Sequence, residues 1–245
     1  MICTVVNTNN NWFVCKTEGY EYLIDLLDFL LIEYVRIFGE DTLYAEKCLI
    51  YNDPEAECPM LIINAIPIQI RLAQSSLNYW AQTIFQLSHE LCHYCIRQRK
   101  DNKNYTLSWF EEIVCEAISL YFLKWAADNW NKCKLSRISS DFGSNIKVYL
   151  SNELIKMGTD EFKIGTDRDL LKKYEESKAT GRETHRNERN KLFFEIVKNP
   201  EACKCFCDYP QYLNCDKLTI DFNKWVKMEN NQVLRFLSSI QPVVD

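Results

Sequence analysis

The chain has 245 residues, 47% of them apolar and 13% aromatic, which is enough to bury a core in one good-sized domain or two small ones. Its 29 basic and 34 acidic residues leave a net charge of -5, without the basic surface that a nucleic acid or an anionic membrane attracts. A peptide, protein or small-molecule substrate fits that balance better.

Met1 to Phe13 has no basic start and is broken by Asn7, Asn9, Asn10 and Asn11, so no targeting signal is expected. Twelve cysteines fall below the density of disulfide-stapled domains, and without a signal a reducing cytoplasm is the expected home. Cys3, Cys15, Cys48, Cys58, Cys115 and Cys133 stand singly, mostly among apolar neighbours, as buried thiols do.

Ile2 to Val6 and Trp12 to Lys16 are expected as short strands around the asparagine-rich turn. Tyr20 to Phe38 follows as a helix ended by Gly39; Asp25, Asp28, Glu33 and Arg36 mark it as amphipathic rather than membrane-spanning. Cys48 to Tyr51, Met60 to Ala65 and Ile68 to Leu72 are isoleucine-bearing apolar runs punctuated by Asn52, Asp53, Pro54 and Pro67, and predict a small mixed or antiparallel sheet. Ser75 or Ser76 offers the cap of a long helix reaching about Arg99, with Leu77, Trp80, Ile84, Leu87, Leu91 and Tyr94 as its apolar stripe. A second helix over about Ser108 to Trp125 is apolar on so many sides that it must be packed all round.

Beyond Asp128 the chain turns polar, and Asn129 to Asn145 is the expected boundary. The reading is α+β: residues 1–128 hold a small sheet and two central helices, and 129–245 form a mostly helical region that completes the cleft. Thr166 to Lys191 is densely charged and reads as a solvated helical face or a loop.

The chemistry is concentrated in His89-Glu90-Leu91-Cys92-His93. Helical residues four apart lie about 40° apart on one face, so both imidazoles can reach one metal ion while Glu90 reaches its water. The chain has only three histidines, and two fall at this HExxH spacing. The competing reading is a pair of histidines that only hydrogen-bond to neighbours. Catalytic zinc needs a third protein ligand and an open position. Trp109-Phe110-Glu111-Glu112 and Glu116 put carboxylates into an otherwise apolar helix, where an unpaired charge is expensive. Glu112, Glu116 and Ser119 share a stripe, so Glu112 can bind the ion while Glu116 accepts from a ligand histidine, and Glu111 is expected to be a solvated surface residue.

With eighteen residues between His93 and Glu112, and Trp109-Phe110-Glu111-Glu112 at the third ligand, the chain resembles the gluzincin metallopeptidases, especially the aminopeptidase branch with its Trp-Leu-Asn-Glu segment. Glu116 matches the acid that thermolysin-like members carry one turn after the ligand. The resemblance covers about Met60 to Leu123, and no Gly-x-Met-Glu-Asn element is present, so exopeptidase activity does not follow. It implies a zincin-like catalytic core holding Zn2+ on His89, His93 and Glu112, with Glu90 as general base. It also implies an edge strand within Met60 to Leu72 that binds extended substrate, and a downstream oxyanion donor, for which Tyr174 and His185 both stand open. The expected function is zinc-dependent peptide hydrolysis. The alternatives are a metal-binding regulator or pseudoenzyme, a hydrolase of a non-peptide amide, and a repressor-cleaving HExxH protease, the last of which would promote Glu116 to ligand.

Cys203, Cys205, Cys207 and Cys215 form another candidate constellation. Four thiols in thirteen residues can close a structural zinc site, but the alternating three share a face only if the segment is extended; the other reading is ordinary reduced thiols.

Overall fold

The computed structural model describes residues 3–5, 12–43, 47–98, 107–156, 169, 172, 175, 185–214 and 218–240. Five strands, β1 (Cys3–Val5), β2 (Trp12–Cys15), β3 (Cys48–Asn52), β4 (Met60–Ile62) and β5 (Ile68–Leu72), form one sheet in the order β1-β2-β3-β5-β4. The helices are α1 (Tyr20–Phe38), α2 (Trp80–Gln98), α3 (Ser108–Asp128), α4 (Phe142–Ile155), α5 (Arg186–Lys198), α6 (Phe222–Met228) and α7 (Gln232–Ile240), with a long 3-10 segment at Pro200–Tyr212. The class is α+β. No helix among the described residues is long and apolar enough to cross a membrane.

Contacts gather the chain into two compact units, Met1–Cys95 with Ser119–Glu153, and Ile96–Ile118 with Leu154–Asp245. The segment 129–145, expected as a boundary, thus lies inside the first unit. Aromatic packing explains its place: Trp80 stacks on Trp130 at 5.9 Å and meets Phe142 edge-on at 4.9 Å. Gly143 allows this approach, since a Cβ there would stand 2.9 Å from the Ala127 carbonyl oxygen.

The sheet belongs to the first unit. β2, β3 and β5 run parallel, while β1 and β4 pair antiparallel at the two edges. Parallel β2 and β3 need a crossover, which α1 supplies. Along β5, Ile68, Ile70 and Leu72 are buried and Gln69 and Arg71 are half-exposed, so one face of the sheet carries the core. Gly39 ends α1 at φ 95 and donates its N–H to the Val35 carbonyl.

Two side-chain contacts fix α2 against the sheet. Gln86 accepts the Ala73 N–H at 2.9 Å and donates to the Ala73 carbonyl at 3.0 Å, so an amide on α2 pairs with the backbone just beyond β5 as a neighbouring strand would. Trp12 of β2 meets Tyr94 edge-on at 4.9 Å. Helix α2 begins at Trp80 rather than at Ser75 or Ser76, because the Ser76 hydroxyl accepts the Asn78 N–H in a local turn.

In the second unit the core is aromatic. Phe110 packs against Tyr209 at 5.3 Å, Phe222 at 5.8 Å and Phe206 at 6.2 Å, and Trp225 stacks on Tyr212 at 5.1 Å. The Asp221 side chain caps α6 through the Lys224 N–H.

Candidate metal centre

His89 and His93 lie on α2 as the heptad-like apolar stripe dictates, with His89 and Glu90 buried and His93 half-buried. Their Nε2 atoms stand 3.2 Å apart, with ring planes 71° from parallel. Two nitrogens bound to one tetrahedral zinc at about 2.0–2.1 Å stand about 3.3 Å apart, so the spacing suits a shared ion. A hydrogen bond between the rings, one Nε2–H donating to the other nitrogen, is the metal-free use of the same distance.

Glu112 of α3 is half-buried, and one ligand atom from each of His89, His93 and Glu112 lies within 4.8 Å of the others. Among the described residues this is the group of three that could hold a metal ion. Two neutral imidazoles and one carboxylate make a donor set that catalytic zinc accepts. Glu90 is 2% exposed, and among the described residues its side chain makes no hydrogen bond or ion pair. A carboxylate buried in that way is costly as mere packing, which fits a group that works on a water or a metal-bound ligand.

The acids flanking Glu112 are anchored. Glu116 is buried and accepts from the Arg189 guanidinium of α5 at 3.2 Å, Arg189 being 2% exposed. Glu111 is 1% exposed, which corrects the expectation of a solvated surface residue. It accepts the Tyr209 hydroxyl proton at 2.5 Å and lies 3.5 Å from Arg97, while the same hydroxyl takes the Leu107 N–H at 2.8 Å. The Trp109 N–H reaches Glu175 at 3.1 Å and its indole N–H reaches the Leu218 carbonyl at 3.0 Å. Leu107 and the first turn of α3, which carries the Trp109–Glu112 segment, are therefore held at several points.

His185 stands immediately before α5 and is 3% exposed. Burial pushes it down to about 4, against the opposing pull of the Glu112 charge, so it is a neutral imidazole at neutral pH. His185 and Arg189 are four apart, as are Glu112 and Glu116, and the partners match in order: His185 with Glu112, Arg189 with Glu116. The buried Glu188 and Arg189 correct the reading of their charged stretch as a solvated face. Tyr174 lies outside the described residues.

Cys203, Cys205 and Cys207 are buried in the 3-10 segment rather than in an extended one. At three residues per turn, alternate side chains leave in three different directions, and no metal-binding group of three forms from them among the described residues. Cys215 lies outside the described residues.

Sequence reasoning did not single out Arg189, Tyr209 or Arg97. Arg189 and Tyr209 lie 73 and 98 residues from the acids they hold, and no local pattern marks them. Compared with known proteins, the sequence matches no family model, and neither a curated protein nor a solved structure matches the chain.

Proposed function

We propose that this chain is a zinc-dependent hydrolase that cleaves peptide bonds, with His89, His93 and Glu112 as metal ligands and Glu90 as general base. The observation that carries the reading is the convergence of these three donors, with the two histidine Nε2 atoms at a zinc-like 3.2 Å. Zinc bound there would polarise the scissile carbonyl and acidify a water. Glu90 takes the proton of the attacking water on a carboxylate oxygen and then hands it to the nitrogen of the leaving amine. His185, neutral and close enough to Glu112 to feel its charge, has a ring N–H suited to the developing oxyanion. Glu116, held by Arg189, steadies a ligand histidine from the next turn of α3. Among the described residues β4 is an edge strand paired antiparallel with β5, and adding a strand to a sheet edge is a generic way to hold an extended peptide.

Elemental analysis followed by cleavage of a broad peptide library tests the reading. The wild type carries one zinc per chain and cleaves; Glu90→Gln keeps the zinc and loses at least about 100-fold in rate. Wild type and Glu90→Gln equally inert, with zinc bound in both, would make the chain a metal-binding regulator instead.

A further inference from the structure

The sheet has a second face that the metal centre does not use. β2, β3 and β5 run parallel, and parallel strands are ordinarily covered on both sides. Ile50, Ile70 and Leu72 point to one side and are fully buried. The residues that alternate with them fall on the other side in cross-strand rows. Met60, Arg71 and Tyr51 stand in register in one row, and Ile62, Gln69 and Leu49 in the next. Met60 is 44% exposed and the other five are half-buried, so water reaches an apolar surface that extends over three strands.

Arg71 is the one cation in these two rows, and its bonding is incomplete. Its Nη2 donates to the Cys58 carbonyl at a long 3.5 Å, and its Nε is buried without an acceptor among the described residues. Asp53, Glu55 and Glu57, in the turn that leads from β3 to β4, form no ion pair with it. A buried guanidinium N–H without an acceptor is costly, and a carboxylate arriving from outside removes that cost through a charge-assisted hydrogen bond.

Three features choose the occupant. On the buried side α2 packs on the sheet through Trp12 and Tyr94, and a helix is the element that ordinarily completes a parallel sheet. A second copy laid face to face about a two-fold axis would set Arg71 against Arg71. One cation among apolar side chains suits a single carboxylate, whereas an anionic membrane calls for a cluster of basic residues.

We infer that this face is the docking surface for an amphipathic helix of a partner protein that carries one Asp or Glu within its apolar stripe. The helix lies across β3, β5 and β4, its apolar residues cover Leu49, Tyr51, Met60 and Ile62, and its carboxylate accepts from the Arg71 Nε. The inference is independent of the peptidase reading, because docking needs neither metal nor turnover.

The test uses the full chain and a fluorescein-labelled helical peptide of about five turns, with a leucine stripe interrupted at its centre by one glutamate and with glutamine on the polar face. Anisotropy should show saturable binding, and replacing the glutamate by lysine should weaken it about tenfold or more. Arg71→Glu should reverse that preference, and Met60→Asp should weaken both peptides about fivefold or more. Circular dichroism verifies the fold of each variant. Arg71→Leu supplies a measurement without peptide: the free chain should keep or raise its urea midpoint, since the lost Nε has no acceptor. A lower midpoint would show that Arg71 serves the fold, and would overturn the inference. So would binding that does not saturate, an unchanged preference in Arg71→Glu, self-association that Arg71→Glu abolishes, or Arg71-dependent binding to phosphatidylserine vesicles in place of the peptide.

Discussion

The Arg189 guanidinium on α5 donates to the Glu116 carboxylate on α3 at 3.2 Å, and both side chains are buried. A buried pair of this kind adds little over a well-packed apolar pair, but losing one partner strands the other charge. Arg189→Met should therefore destabilise the chain by about 3–5 kcal/mol. The double variant Arg189→Met with Glu116→Leu should recover most of that loss, because no charge is left alone. Urea denaturation of the wild type and the two variants measures this, and equal losses in the single and double variants would show that packing rather than charge is what Arg189 contributes.

Metal binding should appear as stability. If His89, His93 and Glu112 hold zinc only in the folded chain, zinc at about 100 times its Kd raises the unfolding free energy by about 2.7 kcal/mol. His93→Ala should abolish this response while the chain still folds, since His93 is only half-buried. A zinc response of the same size in His93→Ala would place the ion elsewhere.

The elements that position the site were legible because they rest on local periodicity. Gly39 stops α1 where expected, the isoleucine runs become β3, β4 and β5, and His89 and His93 sit four apart on a helix whose stripe is plain in the sequence. Helix α3 is buried over most of its surface, as its largely apolar character requires. What stayed hidden depends on partners distant in sequence. Glu111 looks like a surface glutamate until Tyr209 and Arg97 are placed beside it, and Arg189 looks like one more charge in a charged stretch until Glu116 is found opposite. Asn129 to Asn145 has loop composition, yet Trp130 and Phe142 draw it onto Trp80. Local polarity cannot report such a long-range aromatic contact.

His185 gives a pH dependence of known sign. Its folded pKa is lowered from 6.5 to about 4, so above pH 6.5 folded and unfolded chains are both neutral there and nothing is lost. As pH falls below 6.5 the unfolded chain takes up a proton that the folded chain refuses, and stability declines until about pH 4. The full loss is about 3 kcal/mol. Denaturation of the chelator-treated chain between pH 7 and 4.5 should show a shallower decline in His185→Gln than in the wild type. Identical slopes in the two proteins would mean that His185 is protonated in the fold.

The three acids of α3 should separate when each is changed to Gln. Glu112→Gln should lower zinc affinity most, because it replaces a charged donor in the only group of three that forms among the described residues. Glu116→Gln should lower it less, by about 10- to 100-fold, if its part is to steady a ligand histidine. Glu111 is about 100° around the axis from Glu112, so it points away from the ion when Glu112 faces it. Its buried bonds to Tyr209 and Arg97 predict a different signature for Glu111→Gln: lower stability, with zinc affinity nearly unchanged once the variant is folded. Titration against a competing chelator ranks the affinities, and urea denaturation without metal ranks the stabilities. Glu112→Gln should lead the first ranking and Glu111→Gln should outrank it in the second. If Glu116→Gln bound zinc most weakly, Glu116 would be the third ligand and Glu112 its neighbour, and the chain would stand closer to the repressor-cleaving HExxH proteases.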